Sequence, residues 1–271
     1  MATARSLELQ ALARRLADAF PPEIEEVLLT GSAARGVADE DSDFELLLVG
    51  EALPPPGEIA AGLDVFDVDE MPDRDGWWIG GTVAGEPYEL IAWTRARTET
   101  RIDRILAAEV VDSTRVRTAE AVVHGLALRT AGGIAGWQER LRAYPDALAE
   151  AIVLDAIGDW TEQTPRGLRT LLRPGCRLQL TGQLVADLEN VLRIVFALNR
   201  EWQPGWKRLP DRVAPLAIKP ERLAERIDEA LLAVDIVRAR TLVGDTLALA
   251  PDLPRVVQAR ELTAAILAEL A

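Results

Sequence analysis

The chain has only one cysteine and one histidine among its 271 residues. The single cysteine, Cys176, excludes an internal disulfide and a zinc site built from several cysteines, and we expect it to be an ordinary small side chain. The single histidine, His124, excludes a histidine-clustered metal site and is the only residue available as the base of a Ser-His-Asp triad. Because His124 lies in the apolar stretch AEAVVHGLALRT, we expect an ordinary, partly buried imidazole there.

Long apolar runs and positive charge are also scarce. No run approaches the length needed to cross a bilayer, and the opening MATARSLELQ lacks the apolar stretch of a signal peptide, so we expect a cytoplasmic protein without a membrane partner. The 30 Lys and Arg residues are outnumbered by 44 Asp and Glu residues, which gives a formal net charge of -14. This balance argues against general nucleic-acid binding, which depends on cations that neutralise phosphates.

The residues that are present, 49% hydrophobic and 27% charged, are typical of a globular protein, and the length favours two domains. In the first hundred residues, apolar side chains at helical spacing predict a helix from Ala4 to Phe20 that ends at Pro21. The segments EEVLLTG, FELLLVG and LDVFDVDEM each predict a strand, and GWWIGGTVAGEPYELIAWT predicts two strands joined around Ala84 and Gly85. Together these elements indicate a small mixed sheet with one leading helix.

After about Thr98 the pattern changes to apolar residues every three to four positions, among strong helix formers. This spacing predicts helices in RIDRILAAEVV, TAEAVVHGLALRTA, GWQERLRAYPDALAEAIVLDAIGDW, CRLQLTGQLVADLENVLRIVFALNREW, PERLAERIDEALLAVDIVRARTLVGDTLALA and RVVQARELTAAILAEL. We therefore expect an α/β (α+β) domain over residues 1–100, followed by an all-α helical domain over residues 101–271.

Two acids at the start of the strand FELLLVG, one just before it and one within it, point to metal chemistry. Asp43 and Glu45 are two residues apart, so in a strand their side chains lie on one face with roughly 6 to 7 Å between their Cα atoms. Magnesium prefers hard oxygen ligands of this kind and leaves the rest of its shell for water and phosphates. The neighbouring acids Asp39, Glu40 and Asp41 are expected to form a solvated turn.

Gly31 and Ser32 end the preceding strand and suit a phosphate. A glycine lets the chain turn tightly and lets a ligand approach the backbone, and the serine hydroxyl can hold a phosphate oxygen. The residues that follow, AARGVA, can begin a helix whose N-terminal amides would face the same anion.

The segments GSAARG and SDFELLLV together resemble the signature of the nucleotidyltransferase superfamily of the DNA polymerase beta type. The resemblance covers about the first 95 residues and implies a nucleotidyltransferase domain. It also implies a third carboxylate on a later strand, which we assign to Glu89 in GEPYELIAWT. The rivals Asp64, Asp67 and Asp69 come too early in the usual strand order. The sequence departs from the family pattern in that Glu45 and Glu89 stand where aspartate is more usual.

The helical part is similar, over YPDAL and ALNREWQPGWKRL, to the helical domain of bacterial small-molecule nucleotidyltransferases, a group that includes aminoglycoside adenylyltransferases. This similarity implies that residues 101–271 bind the substrate and that Lys207 reaches a triphosphate, unless Lys207 is simply a solvated lysine. Arg35 is a further candidate for phosphate contact, or a surface arginine. Asp187 and Glu189 are candidates for a separate general base, although acids on such helices are more commonly paired or exposed.

The activity implied by the resemblance is magnesium-dependent transfer of a nucleoside monophosphate, AMP from ATP, to a hydroxyl of a small molecule. Asp43 and Glu45 would hold two magnesium ions, and Glu89 would hold the catalytic ion or take the acceptor's proton. The alternatives are an enzyme that modifies a protein or an RNA, and a non-catalytic, antitoxin-like or regulatory nucleotide-binding module. We expect a monomer or a homodimer.

The tryptophans are interpreted mainly as core residues, with stacking on a base or sugar as the alternative. They include Trp77, Trp78, Trp93, Trp202 and Trp206.

Overall fold

The chain forms two compact units in a computed structural model that describes residues 2–70 and 76–270. The first, which we call the sheet unit, runs to Leu106 and also includes Thr118–Ala143. The second, the helical unit, consists of Ala107–Arg117 and the chain from Tyr144 onward. The ranges predicted from the sequence, 1–100 and 101–271, differ from these units because the segment 118–143 belongs with the sheet.

The first half of the chain alternates strands with mostly short helices. Its elements are α1 (Ala4–Ala19), β1 (Glu26–Thr30), α2 (Gly31–Ala34), β2 (Phe44–Gly50), α3 (Pro56–Ile59), β3 (Asp64–Glu70), β4 (Gly76–Val83), β5 (Glu86–Thr94), α4 (Arg95–Leu106), α5 (Ser113–Val123), β6 (Leu126–Arg129) and α6 (Gly133–Arg142). The six strands form one sheet in the order β3-β4-β5-β2-β1-β6. Only β2 and β5 are parallel among these pairs, so the sheet is mixed, as predicted.

The helix α1 covers one face of this sheet. Leu9, Leu12 and Leu16 recur at helical spacing and are buried in a core with alternate residues of β2, namely Phe44, Leu46 and Leu48. Because successive residues of a strand point to opposite faces, the residues between them, Glu45, Leu47 and Val49, lie on the other face. On that face Leu47 and Val49 are buried, whereas Glu45, near the start of β2, is partly exposed. We call the sheet surface around Glu45 the open face.

The strand β6 corrects a prediction. The stretch TAEAVVHGLALRTA was expected to be helical throughout, but α5 ends at Val123 and Leu126–Arg129 pairs with β1 as an edge strand. The two elements meet at Gly125, where a Cβ atom would lie 2.6 Å from Cγ of Leu28, so only glycine fits this close approach. His124 is exposed at this junction and not partly buried as expected.

Arg129, at the end of β6, binds the C-terminal end of α1. Its guanidinium donates hydrogen bonds to the carbonyl oxygens of Phe20 at 3.1 Å, Pro21 at 3.0 Å and Ile24 at 2.8 Å, and also to that of Ala17. A helix leaves its last carbonyl groups without partners inside the helix, and a cation is favoured at that end of the helix dipole. Hydrogen bonds from the last strand of the sheet thus hold the C-terminal end of the first helix of the chain.

The helical unit contains the long helices predicted from the apolar spacing. Its elements after α6 are α7 (Asp146–Ala156), α8 (Gly158–Glu162), α9 (Pro165–Leu171), α10 (Arg177–Leu198), α11 (Leu209–Val213), α12 (Leu223–Ala233), α13 (Ile236–Leu249) and α14 (Pro254–Leu270). The central helix α10 packs against α7, α12 and α13. In the described part of the chain, no helix combines the length and the apolar character needed to span a membrane.

Candidate active site

Two glutamates stand side by side on the open face of the sheet. Glu45 of β2 is paired in register with Glu89 of the parallel strand β5, and on its other side with Thr30 of the antiparallel strand β1. Directly paired residues of adjacent strands point to the same face, and the strands lie about 4.8 Å apart. The structure therefore brings the carboxylate assigned from the sequence, Glu89, next to Glu45. The rival Asp67 lies two strands further along the sheet, opposite Gly80.

The Glu45 carboxyl has an unfavourable electrostatic environment. Burial raises its pKa, and repulsion from Asp43 and Glu89 raises it further. The hydroxyl of Thr30, which donates to Oε2 of Glu45 at 3.3 Å, and the positive charge of Arg35 lower the pKa in part. The three acids are therefore close enough to repel one another, and a bound cation would relieve that repulsion.

Gly31 makes room for the Glu45 carboxylate. Its φ angle is +69°, in the left-handed region, and a Cβ atom at this position would lie 2.9 Å from Oε2 of Glu45. A side chain would therefore be strained by the backbone and would also press on the carboxylate. The left-handed backbone thus favours glycine at this position of the GSAARG motif, and the missing Cβ leaves room for an acid of the SDFELLLV motif.

Asp43 lies immediately before β2 and is partly buried, whereas Asp39, Glu40 and Asp41 are exposed. The exposed acids belong to a turn in which the Ser42 hydroxyl donates to Oδ1 of Asp39 at 2.7 Å and accepts from the Asp39 N–H at 3.0 Å. The three exposed acids therefore form a solvated turn, as predicted, whereas Asp43 lies close to Glu45.

The expected anion site at a helix N-terminus is not supported. The segment after β1 forms only α2, a single turn of four residues, which is too short to present the amides of a helix end to a phosphate. Ser32 is partly buried. Any phosphate binding at this turn would therefore rest on the serine hydroxyl and the backbone of the turn.

Arg35 is fixed inside the sheet unit and is not a surface arginine. Its guanidinium pairs with Glu120 of α5, and both side chains are largely buried. Its charge also acts on Glu45, whose pKa it lowers. Arg35 thus supplies a held positive charge near the carboxylates, and its contact with phosphate stays a prediction.

Asp187 is a structural residue of the helical unit. It is fully buried in α10, where Oδ1 accepts hydrogen bonds from Trp160 at 3.0 Å, Gln183 at 2.9 Å and Arg240 at 2.9 Å. A carboxylate held by three donors and shielded from solvent cannot take a proton from a substrate without losing those bonds. The expectation that Asp187 serves as a general base is therefore wrong in this structure.

The other two predicted residues of the helical unit lie together on its surface. Glu189 is exposed, and its Oε1 accepts a hydrogen bond from Nε1 of Trp206 at 3.0 Å. Lys207 is the next residue and is exposed as well. Their roles as general base and triphosphate contact stay predictions.

The three carboxylates of the sheet unit are the type of ligand that binds a hard divalent cation, although their side chains are not arranged around a common point. Among the described residues, no group of three or more His, Cys, Asp or Glu side chains is arranged as a metal site. Asp43, Glu45 and Glu89 nevertheless supply neighbouring carboxylate oxygens, the ligands that Mg²⁺ prefers.

Sequence reasoning missed two residues of this site. Thr30, which hydrogen-bonds to Glu45, directly precedes the Gly-Ser pair and could have been found by extending the motif by one residue. Glu120, which holds Arg35, is 85 residues away from its partner, and no local pattern signals that pairing.

Comparison with known proteins gives little further information. No protein-family description matches the sequence, and no curated protein sequence is significantly similar to it. Among solved structures, a nucleotidyltransferase-like protein from Exiguobacterium sibiricum is similar over 97% of this chain and 89% of its own length, with 12% sequence identity and a TM-score of 0.37. A TM-score this low establishes neither a shared fold nor a shared function.

Proposed function

We propose that this protein is a magnesium-dependent nucleotidyltransferase that transfers a nucleoside monophosphate, AMP from ATP, to a hydroxyl of a small molecule and releases pyrophosphate. The observation that carries the proposal is the register pairing of Glu45 with Glu89 on the open face, next to Asp43 and the Gly31 turn. This arrangement supports the assignment made from the GSAARG and SDFELLLV motifs, since residues 44 positions apart meet where the motif resemblance requires them.

Several residues of the sheet unit would each have a separate role in this reaction. Asp43, Glu45 and Glu89 would hold Mg²⁺, which when bound lowers the pKa of the acceptor hydroxyl and neutralises charge on the leaving pyrophosphate. Ser32 would orient a phosphate oxygen through its hydroxyl at the turn after β1. Arg35, fixed by Glu120, adds a positive charge that acts on the Glu45 carboxylate.

The proposal is tested by calorimetric binding of Mg-ATP and other magnesium nucleoside triphosphates. We expect the wild-type protein to bind, and the double variant Asp43→Asn/Glu45→Gln to bind at least tenfold more weakly because it lacks two anionic ligands. Glu40→Gln is the matched control, since it neutralises an exposed acid of the same segment and should bind like the wild type. Absence of binding in the wild type, or full binding in the double variant, would contradict the metal-nucleotide proposal.

The transfer step is tested separately, by pyrophosphate release from Mg-ATP in the presence of hydroxyl compounds. Release that depends on both the compound and Glu89 supports transfer to a small molecule. Binding of Mg-ATP without release across the panel would instead indicate the non-catalytic nucleotide-binding module.

A further inference from the structure

The longest part of the chain without an aspartate or a glutamate runs from Gln163 to Ala186. It forms α9, the turn after α9 and the first part of α10, all within the helical unit. The protein as a whole has a formal net charge of -14, yet the charged residues of this segment are all arginines. The four arginines are all exposed, and they are Arg166, Arg169, Arg173 and Arg177. The segment is therefore a positive area on a protein that is acidic as a whole.

Most of this positive charge is not neutralised by nearby acids. On the neighbouring helix α14, Glu269 forms an ion pair with Arg169 at 2.7 Å, and Glu261 lies about two helical turns earlier. The acids that border the segment along the chain are Glu162 and Asp187, and Asp187 is buried. In the described part of the chain, no acid forms an ion pair with the other three arginines. Three exposed cations thus lie close together without a counter-charge.

Two leucines are exposed beside these arginines. Leu172, which follows α9, is 51% exposed, and Leu178, in the first turn of α10, is 87% exposed. Leu168 and Leu180 of the same segment are instead buried in a small core with residues of α13 and α14. Two leucines therefore hold the segment in place, and two others face solvent. We call the four arginines and the two exposed leucines the arginine-leucine surface.

The combination of exposure and positive charge is particular to this surface. Leu232 is also 87% exposed, but its neighbours on α12 include Asp228 and Glu229. Single exposed apolar residues are normal on proteins and need no function. Leucines interleaved with arginines are typical of segments that bind the surface of a membrane, where arginine meets lipid phosphates and leucine enters the outer acyl region.

The shape and composition of the surface favour a lipid bilayer over other anionic partners. Apart from Cys176, every residue from Leu172 to Gln179 is exposed, so the turn projects from the helices that it joins. A partner peptide binds in a groove or along a strand edge, and a projecting turn offers neither. Single-stranded nucleic acid is bound through aromatic rings on which its bases stack, and residues 163–186 include no aromatic residue. A bilayer surface can receive the arginines and the leucines of a projecting turn together.

We propose that the arginine-leucine surface binds the anionic lipid surface of a membrane, with the arginines at the lipid phosphates and Leu172 and Leu178 in the outer acyl region. This departs from the expectation of no membrane partner, which followed from the lack of a long apolar run, because binding at a surface needs no spanning segment. The acidic remainder of the protein does not prevent the contact, since charges are screened beyond about 8 to 10 Å at physiological salt. The binding goes beyond the proposed nucleotidyltransferase activity and does not depend on it.

The experiment measures flotation of the whole protein with lipid vesicles. One set of vesicles contains phosphatidylcholine alone, and the other contains equal parts of phosphatidylcholine and phosphatidylglycerol. We expect the partition coefficient to be at least about tenfold larger for the anionic vesicles and to fall as salt is added. Equal partition into both sets, or no partition into either, would overturn the inference.

Soluble anions distinguish a bilayer from other sources of negative charge. Glycerol phosphate carries the charge of a lipid headgroup without acyl chains, so an excess of it should leave flotation unchanged. Competition by glycerol phosphate would instead indicate a site for free phosphates. Stronger competition by polyglutamate or by a single-stranded RNA than by added anionic vesicles would assign the surface to an acidic protein or to a nucleic acid. Each of these results would contradict the membrane assignment.

Variants separate the contributions of the leucines and the arginines. The double variant Leu172→Ala/Leu178→Ala should lower partition into anionic vesicles at least about tenfold, because it removes the apolar side chains that enter the bilayer. Arg173→Gln/Arg177→Gln should lower it by a similar factor and should also weaken its dependence on salt. All four side chains are exposed, so both variants should keep the urea midpoint of the wild type.

Matched controls test whether the location of these residues matters. Leu7→Ala shortens a leucine of α1 that is 55% exposed, and Arg255→Gln neutralises an exposed arginine of α14. Both control variants should partition like the wild type. Unchanged partition of either double variant, or an equal loss in the controls, would show that the arginine-leucine surface is not the membrane contact.

Discussion

At the scale of single residues, the position of Glu45 lowers the stability of the folded protein. Its carboxylate is partly buried, faces the Gly31 turn, lies close to two other acids and accepts a hydrogen bond from the Thr30 hydroxyl. A group whose charged form is disfavoured in the folded protein lowers the free energy of unfolding at any pH where it is ionised. Such an arrangement is common at functional sites, where a ligand supplies the missing compensation.

The first prediction is that Glu45→Gln stabilises the protein at neutral pH. The pKa of Glu45 is higher in the folded protein than in the unfolded chain, so the folded state holds the extra proton between these two values and wild-type stability falls as the pH rises through that window. The Glu45→Gln variant has no ionisable group at this position, so its stability does not fall in this pH window. Its free energy of unfolding should exceed that of the wild type by about 1 kcal/mol at pH 7, and the difference should vanish below the ordinary glutamate pKa.

Urea unfolding at several pH values measures this difference. Glu40→Gln, at an exposed position of the preceding turn, is the control and should show no comparable gain. A Glu45→Gln variant that is less stable than the wild type at pH 7 would show that the carboxylate is already compensated in the free protein.

At the scale of elements, the strand β6 joins distant parts of the sheet unit. It completes the sheet beside β1, and its Arg129 binds the carbonyl groups at the end of α1. Charge-assisted hydrogen bonds to groups that otherwise lack partners contribute more than ordinary ones.

The second prediction is that Arg129→Ala lowers the free energy of unfolding by about 2 kcal/mol, because several carbonyl oxygens lose a charged donor at once. Arg129→Lys should recover only part of this, since an ammonium group cannot reach as many carbonyls as the planar guanidinium. The control is Arg14→Ala, which removes an exposed arginine from α1 itself. Equal urea midpoints for the Arg129→Ala and Arg14→Ala variants would contradict the capping role.

The same strand shows where prediction from the sequence stops. The helix Ala4–Ala19 and the hairpin at Ala84 and Gly85 follow from local periodicity and turn residues, and both are present. The spacing of apolar residues in AEAVVHGLALRT fits a helix, but its second half is a strand because β1, about 100 residues earlier, offers an unpaired edge. No local window contains that information.

The candidate site shows the same limit. Gly31, Glu45 and Glu89 could be selected because the motif places them in order, and the sheet register then brings the two glutamates together. Asp187 was misjudged because its partners Trp160 and Arg240 lie 27 and 53 residues away. Gln183, four residues earlier, is a local partner, but it does not by itself indicate that the carboxylate is buried and paired with an arginine.

At the scale of the whole molecule, the chain leaves the sheet unit after Leu106 and returns to it at Thr118. The returning segment supplies β6 and also α6, whose first N–H groups, those of Gly133 and Ile134, donate to the buried carboxylate of Glu26 at 2.7 and 3.4 Å. Removing this segment would leave the edge of β1 unpaired and the Glu26 carboxylate without these donors.

The third prediction therefore concerns fragments. The fragment of residues 1–143 should unfold cooperatively in urea, whereas the fragment 1–106, which lies close to the boundary predicted from the sequence, should show no cooperative transition. An intermediate fragment, 1–129, separates the contribution of β6 from that of α6. Identical unfolding midpoints for the fragments 1–106 and 1–143 would show that the sheet does not need its returning segment.

The interrupted path of the chain also has a consequence for synthesis on the ribosome. Strand β1, all of whose residues are buried in the finished protein, is made early, but its edge partner β6 follows about 100 residues later. Translation proceeds at about 5 to 20 residues per second, so roughly one to five seconds separate the end of α4 from the end of β6. During that interval an apolar strand edge is open to other nascent chains, and slower translation of residues 107–129 should increase the aggregated fraction of the newly made protein.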